Sequence, residues 1–330
     1  MRRATVVART GERFTGLAPY VPSIADDGRV AFQAALARGG TAALVVRPGG
    51  IEPVLGRPDV AAIVSHPDVD RDGRLSAYVV DPDGRGAVAL VDGSGLHLVA
   101  RTEGDLVAIG PAGPTMDDTG RVSFRATLAS GASGLFLGER AGVVEVARTG
   151  RRWSAFQGLP VVTAGGCVTF RADCVDGGHA ILRWCDGSVE TVVETGGGLT
   201  ALGRFPSASD AGHVAFAATS DDGTDAVLCV DPDGRPRTIL SSEDGFTSCR
   251  GALVAGDGSV VALATPHGGG LGLFAGADPE TDRLVMVGDP VDGSTVVDLA
   301  ANPVSIDASG AVVARLALAD RRELIVRFDP

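Results

Sequence analysis

Five side chains of unlike chemistry, Tyr20, His66, Arg204, Arg250 and Asn302, stand at nearly the same place in a segment that keeps returning along the chain. Each return is marked by a turn glycine: Gly28, Gly73, Gly120, Gly166, Gly212, Gly258 and Gly310. Eight places before these glycines stand Tyr20, Ser65, Ala112, Gly158, Arg204, Arg250 and Asn302, and one place further on Val21, His66, Gly113, Leu159, Phe205, Gly251 and Pro303. Positions that only packed would carry similar residues, and these do not. His66 could act as a general acid or base near neutral pH and Tyr20 as a proton donor, with Arg204 and Arg250 clamping a carboxylate, a phosphate or a developing oxyanion. Asn302 and Phe205 join them as candidate ligand contacts, together with His179 of "DGGHA" and His267 of "PHGGG", whose loops are expected on the same face.

The repeat itself says what must hold these side chains. The turn glycines are 45, 47, 46, 46, 46 and 52 residues apart, and each opens a strand-like phrase such as GRVAF, GRVSF, GCVTF or GHVAF. A period near 46 with two-residue alternation and no helical spacing predicts propeller blades. Each unit divides into four strands; in the third these are "GPAGPTM", "RVSFRATL", "SGLFLGE" and "VVEVART". Six units supply their own fourth strand, but the seventh ends at "ELIVRFDP", while residues 2–9, "RRATVVAR", resemble the fourth strand of the third unit. The chain is therefore expected to be all-β, a single seven-bladed β-propeller over residues 1–330 with four-stranded blades. The blades fall near 10–55, 56–100, 101–147, 148–193, 194–240, 241–287 and 288–330, the last closed by 2–9 so that no sheet edge stays open. Apolar pairs three apart before each inner strand, from Phe14/Leu17 to Val296/Leu299, are expected to seal one blade against the next.

"RTGERFTGL", "RTGRRWSAF" and "PSIADDGRVAFQA" resemble the phrases T-G-x-x-F-x-x-L and P-S-I-x-x-x-G-x-V-A-F-x-A of a family of bacterial tandem-repeat proteins, over essentially the whole chain. The resemblance implies a propeller, often exported and surface-anchored, and brings no catalytic motif with it. "MRRATVVARTGERF" has no apolar run of signal-peptide length, and no segment reaches the ~20 apolar residues of a membrane helix. A cytoplasmic protein without membrane contact, acting as a monomer, is the expectation.

All 29 basic residues are arginine, which removes lysine Schiff-base and lysine general-base chemistry. A net charge of −12 spread through turns argues against nucleic acid as a partner. Five cysteines without a C-x-x-C predict free thiols, no disulfide framework and no structural zinc. Cys174 and His179 flank "VDGG" but offer two ligands only. "DVDRDGRL" at 68–75 imitates half a calcium loop, yet Val79 stands where a bidentate acid belongs. No metal site and no cofactor are expected. There is no G-x-S-x-G and no phosphate-binding loop leading into a helix. The reading is a small-molecule-binding propeller, an enzyme without cofactor of the lyase, cyclase/isomerase or hydrolase type. It would act on an anionic or carbonyl-bearing substrate at the channel mouth; the alternative is a non-catalytic protein–protein scaffold, which the 5% aromatic content does not favour.

Overall fold

Turn glycines and alternating apolar residues fold each repeat into one antiparallel sheet, and seven such sheets form a ring in the computed structural model, which describes residues 4–329. The first blade runs outward from a broken inner strand, Phe14–Gly16 and Ser23–Ile24, through Val30–Leu36 and Thr41–Arg47 to Gly50–Gly56. The seventh runs from Ser294–Ala300 through Val312–Leu318 and Glu323–Phe328 to Ala4–Arg9, its outer strand. The expected closure is present: Thr5 pairs with Arg327 and Arg9 with Leu324. Residues 2 and 3 of the expected strand lie outside the described residues. Among the described residues no helix is long and apolar enough to cross a membrane.

The core is divided among the junctions. Among the described residues seven apolar clusters occur, each shared by two consecutive blades, and none belongs to one blade alone. The apolar pairs three apart lie in these clusters: Phe14 and Leu17 with Phe32 and Ile325, Trp153 and Phe156 with Phe170 and Leu135. The Phe14 and Phe32 rings meet edge to face at 5.7 Å, as do Phe156 and Phe170 at 5.6 Å.

Polar side chains stitch the same junctions near the axis. Five residues before the turn glycine, Thr115 donates to Pro160 O and accepts from Val162 N, Ser207 accepts from Val254 N, and Ser305 donates to Pro22 O. Asp68 holds this position in the second blade, accepting from Met116 N at 2.7 Å. The imitation of a calcium loop is thereby explained: Asp68 faces the next blade, Asp70 accepts from Asp72 N and Arg74 N in the turn, and Asp72 pairs with Arg74.

A second set of ties crosses at the turns. Arg29 donates to Arg71 O, Arg74 to Asp118 O, and Arg327 to Gly28 O, each reaching the next blade's turn. Gly28 has φ +81°, and a Cβ there would meet the Arg327 guanidinium at 2.5 Å, so both backbone and neighbour require glycine. In the fourth blade the arginine that follows the glycine is replaced by Cys167, and the expectation of five free thiols is corrected there. Cys167 and Cys185 face each other on neighbouring strands, Cα atoms 4.5 Å apart, and form a disulfide. Arg183 on the next strand supplies the missing tie, donating to Gly212 O at 2.7 Å. Cys174, Cys229 and Cys249 are free.

Two outcomes follow from the stitching and the closure. Burial outweighs the two backbone donors of Asp68 and pushes its carboxyl up to about 8. The unfolded carboxyl loses its proton near pH ~4, so this residue favours the fold fully below that pH and the contribution disappears as pH rises through about 8. Asp68→Ser, which installs the residue of the equivalent position in other blades, should therefore gain in Tm relative to the parent between pH 5 and 8; a difference independent of pH contradicts the assignment. Removing residues 4–9 would bare the edge of Glu323–Phe328 and expose part of the junction containing Ala8. Thermal melts should show a loss of several kcal/mol, with association in size-exclusion chromatography; a truncated protein indistinguishable from the parent contradicts the closure.

Candidate functional site

The repeat positions compared above do not lie on a continuous inner strand. In the first, second, third and fifth blades that strand is split, as between Phe14–Gly16 and Ser23–Ile24 or Leu199–Leu202 and Ser207–Ala208. In the fourth and sixth blades it is unbroken, Trp153–Thr163 and Phe246–Val254, but slips register between Gln157 and Val161 and between Cys249 and Gly251. Most of the varied residues occupy these breaks and bulges; Gly251 pairs with Leu263, and Asn302 and Pro303 follow the seventh blade's inner strand.

Together the breaks widen the axial channel into a vestibule of about 550 Å³. Tyr20, His66, Phe205, Arg250 and Asn302 all line it. Arg204, His179 and His267 do not. Arg204 is exposed outside the lining beside Phe205, and its carbonyl lies against Gly158. His179 is committed elsewhere, accepting at Nδ1 from Leu202 N at 3.2 Å with Asp173 3.8 Å from Nε2, and His267 is exposed at a hairpin tip. The reading also missed wall residues, among them Tyr78, Ile109 and Leu263. Tyr78 and Leu263 stand five places after the turn glycine, where the blades carry Gln33, Tyr78, Arg125, Arg171, Ala217, Leu263 and Arg315; comparing that position would have found them.

His66 is buried, not exposed at a rim, with 4% of its surface accessible. Its Nε2 lies 3.1 Å from Pro114 O. A carbonyl only accepts, so Nε2 carries the proton and, in the neutral ring, Nδ1 is left with a lone pair and no protein partner among the described residues. Burial pushes the imidazole down to about 4, which corrects the expectation of a group titrating near neutrality. The ring rests on Gly113 so closely that no Cβ fits there. Ser65 holds the segment from behind, accepting from Tyr78 N and donating to His66 O, both at 2.8 Å. Burial raises the Tyr20 hydroxyl above its usual range. Asn302 accepts from Val304 N with its side-chain oxygen, capping the short turn Pro303–Ser305. Arg250 is exposed and has no hydrogen-bond or carboxylate partner among the described residues.

Below the vestibule one side chain per blade, from Ile24 and Val69 to Ile306, surrounds a second cavity of about 140 Å³ at the opposite end of the channel. It is acidic: Asp26, Asp68, Asp70, Asp117, Asp118, Asp210 and Asp307 line it. Oxygens of Asp26, Asp118 and Asp210 lie within 4.8 Å of one another, a spacing that could hold a cation. Each of the three also accepts from the preceding blade, from Ala308 N, Arg71 N and Ala164 N respectively. A second donor group, His213, Cys229 and Asp231, has Arg237 on Asp231 at 3.2 Å.

No protein-family model and no curated protein matches the chain. Among solved structures it is similar to an oligogalacturonate lyase in complex with manganese, at TM-score 0.62 and 12% identity over 100% of this chain and 98% of the other. An oligogalacturonate lyase from Vibrio parahaemolyticus gives TM-score 0.61 and 11% identity over 99% and 98%. An acylaminoacyl peptidase from Pyrococcus horikoshii gives 0.56 and 12% over 92% of this chain and 52% of that one. At such identities the likeness is one of fold.

The contact of His66 with Gly113 generates a direct check. Gly113→Ala places a methyl in the imidazole's space and should cost about 1–3 kcal/mol in thermal or denaturant unfolding while altering the His66 ring resonances in NMR. Unchanged stability and resonances would show that the ring does not rest there.

Proposed function

We propose that the vestibule binds a small organic molecule bearing a carboxylate or carbonyl group and performs acid–base chemistry on it, of the lyase, cyclase/isomerase or hydrolase kind. The observation that carries the reading is the tautomer that the Pro114 carbonyl fixes on His66, which leaves Nδ1 unprotonated on a residue lining the same cavity as Tyr20 and Arg250. A resting imidazole of this kind is a base and not an acid above pH about 4. It would take a proton from the carbon beside the ligand's carbonyl, and the electron pair would move toward the oxygen. Arg250 would offset the negative charge that gathers there, and the Tyr20 hydroxyl, held protonated by burial, would return a proton to the departing or rearranging group. Negative charge developing beside His66 favours its cationic form, so the base strengthens as the transfer proceeds. Lyases and peptidases among the solved propellers of similar architecture support an enzyme reading only as analogy.

The substrate can be sought by screening metabolite mixtures for thermal stabilisation and then for turnover. His66→Ala should lower turnover by roughly 10²–10⁴, and Arg250→Ala should weaken binding by about 1.5–3 kcal/mol, the scale of a charge-assisted hydrogen bond. The acid limb of kcat/KM should have its midpoint at about pH 4, because the free enzyme's base is His66. Activity unchanged in both variants would remove the vestibule from consideration.

A further inference from the structure

We infer that the vestibule selects an amphipathic monocarboxylic acid, one carboxylate on an aromatic or aliphatic body, rather than a polyanionic or sugar-like ligand. This rests on the vestibule being the functional site.

The chain has 41 acidic residues against 29 basic ones, yet among the described residues the lining of the vestibule contains no Asp or Glu and a single guanidinium, Arg250. The opposite end of the same channel is lined, among the described residues, by seven aspartates and no arginine. The axis is thus polarised, and an anion is drawn to one mouth and repelled from the other. Arg250 is exposed and unpartnered among the described residues, so its charge is available. The neighbouring arginines stand outside this lining: Arg171 is paired with Asp173, Arg315 lies 3.3 Å from Glu323, Arg125 donates to Phe156 O, and Arg204 is exposed beyond Phe205. One carboxylate can be met by one fork of donors; two cannot.

Val64 and Phe205 are among the few large apolar side chains left open to water, at 43% and 41% exposure, and both line the vestibule. Ile109, Leu159 and Leu263 continue the apolar surface. Exposed apolar groups gathered in one concavity mark a place where an apolar body displaces water. Hydroxyl-rich rings would instead lose their hydration against these walls without recovering it. At about 550 Å³ the space suits a small ligand of one or two rings.

Isothermal titration of the full chain with 4-phenylbutyrate, cinnamate, octanoate, digalacturonate and inorganic phosphate tests this. The monocarboxylates should bind, 4-phenylbutanol at least 10-fold more weakly than 4-phenylbutyrate. Arg250→Ala should weaken acid binding about 10- to 100-fold, the equivalent of losing a charge-assisted hydrogen bond. Phe205→Ser should weaken 4-phenylbutyrate more than octanoate. Tighter binding of digalacturonate or phosphate than of the monocarboxylates, still dependent on Arg250, would overturn the selectivity and leave the vestibule as the site. Binding of no probe, or binding indifferent to both Arg250→Ala and Val64→Asp, would overturn the selectivity and the site together.

Discussion

A blade of this protein has no interior of its own, and everything else depends on that constraint. Each sheet is apolar on both faces, and its side chains are buried only against the neighbour on either side. Near the axis the hydroxyls of Thr115, Ser207 and Ser305 and the carboxyl of Asp68 carry backbone hydrogen bonds across the same junctions. Farther out, arginines reach from one blade to the next blade's turn. With spacing settled from both sides, the inner strands can be interrupted midway without the ring losing its shape. The vestibule is the space those interruptions leave.

The same division explains what could be read in advance. The turn glycines and the alternating apolar residues are obeyed in every repeat, because a turn of positive φ and a two-faced strand recur at every blade; blade number, strand order and closure were legible for that reason. The junction role of Phe14/Leu17 or Trp153/Phe156 was legible on the same ground. The disulfide was misjudged on other grounds: the strand order already sets Cys167 beside Cys185 in the fourth blade, but the odd cysteine count argued for free thiols. The stitching by Asp68 was hidden behind its likeness to a calcium loop. Of the candidate site, the irregular positions pointed to Tyr20, His66, Phe205, Arg250 and Asn302, since departure from a repeat signals release from its packing duty. They did not show that His66 is covered by Gly113 of the adjoining blade, which needs the blades to be placed side by side. Arg204 broke the pattern equally and is still not part of the cavity lining, so irregularity marks freedom, not use.

The channel separates two chemical surroundings by little more than a row of aliphatic side chains. On one side stands a neutral imidazole with an unpartnered arginine in apolar company; on the other a set of carboxylates, where burial and the neighbouring Asp26 and Asp210 raise Asp118. The backbone bonds that Asp26, Asp118 and Asp210 accept let these like charges stand close, since each is held by the blade before it. Structural and electrostatic duties are thus carried by the same three carboxylates.

The pairing of Thr5 with Arg327 completes the seventh blade, and its junction with the first blade joins repeats far apart in sequence, whereas the other six junctions join successive repeats. A linear array of repeats can fray from its terminal members, because a terminal unit has only one neighbour to lose. A closed ring has no terminal member. Opening any junction uncovers two apolar blade faces at once while leaving each flanking blade supported on its far side. The entropic cost of bringing distant ends together grows only with the logarithm of the intervening length. Partial loosening is therefore disfavoured everywhere alike, and unfolding should resemble the breaking of a hoop more than the unravelling of a cord.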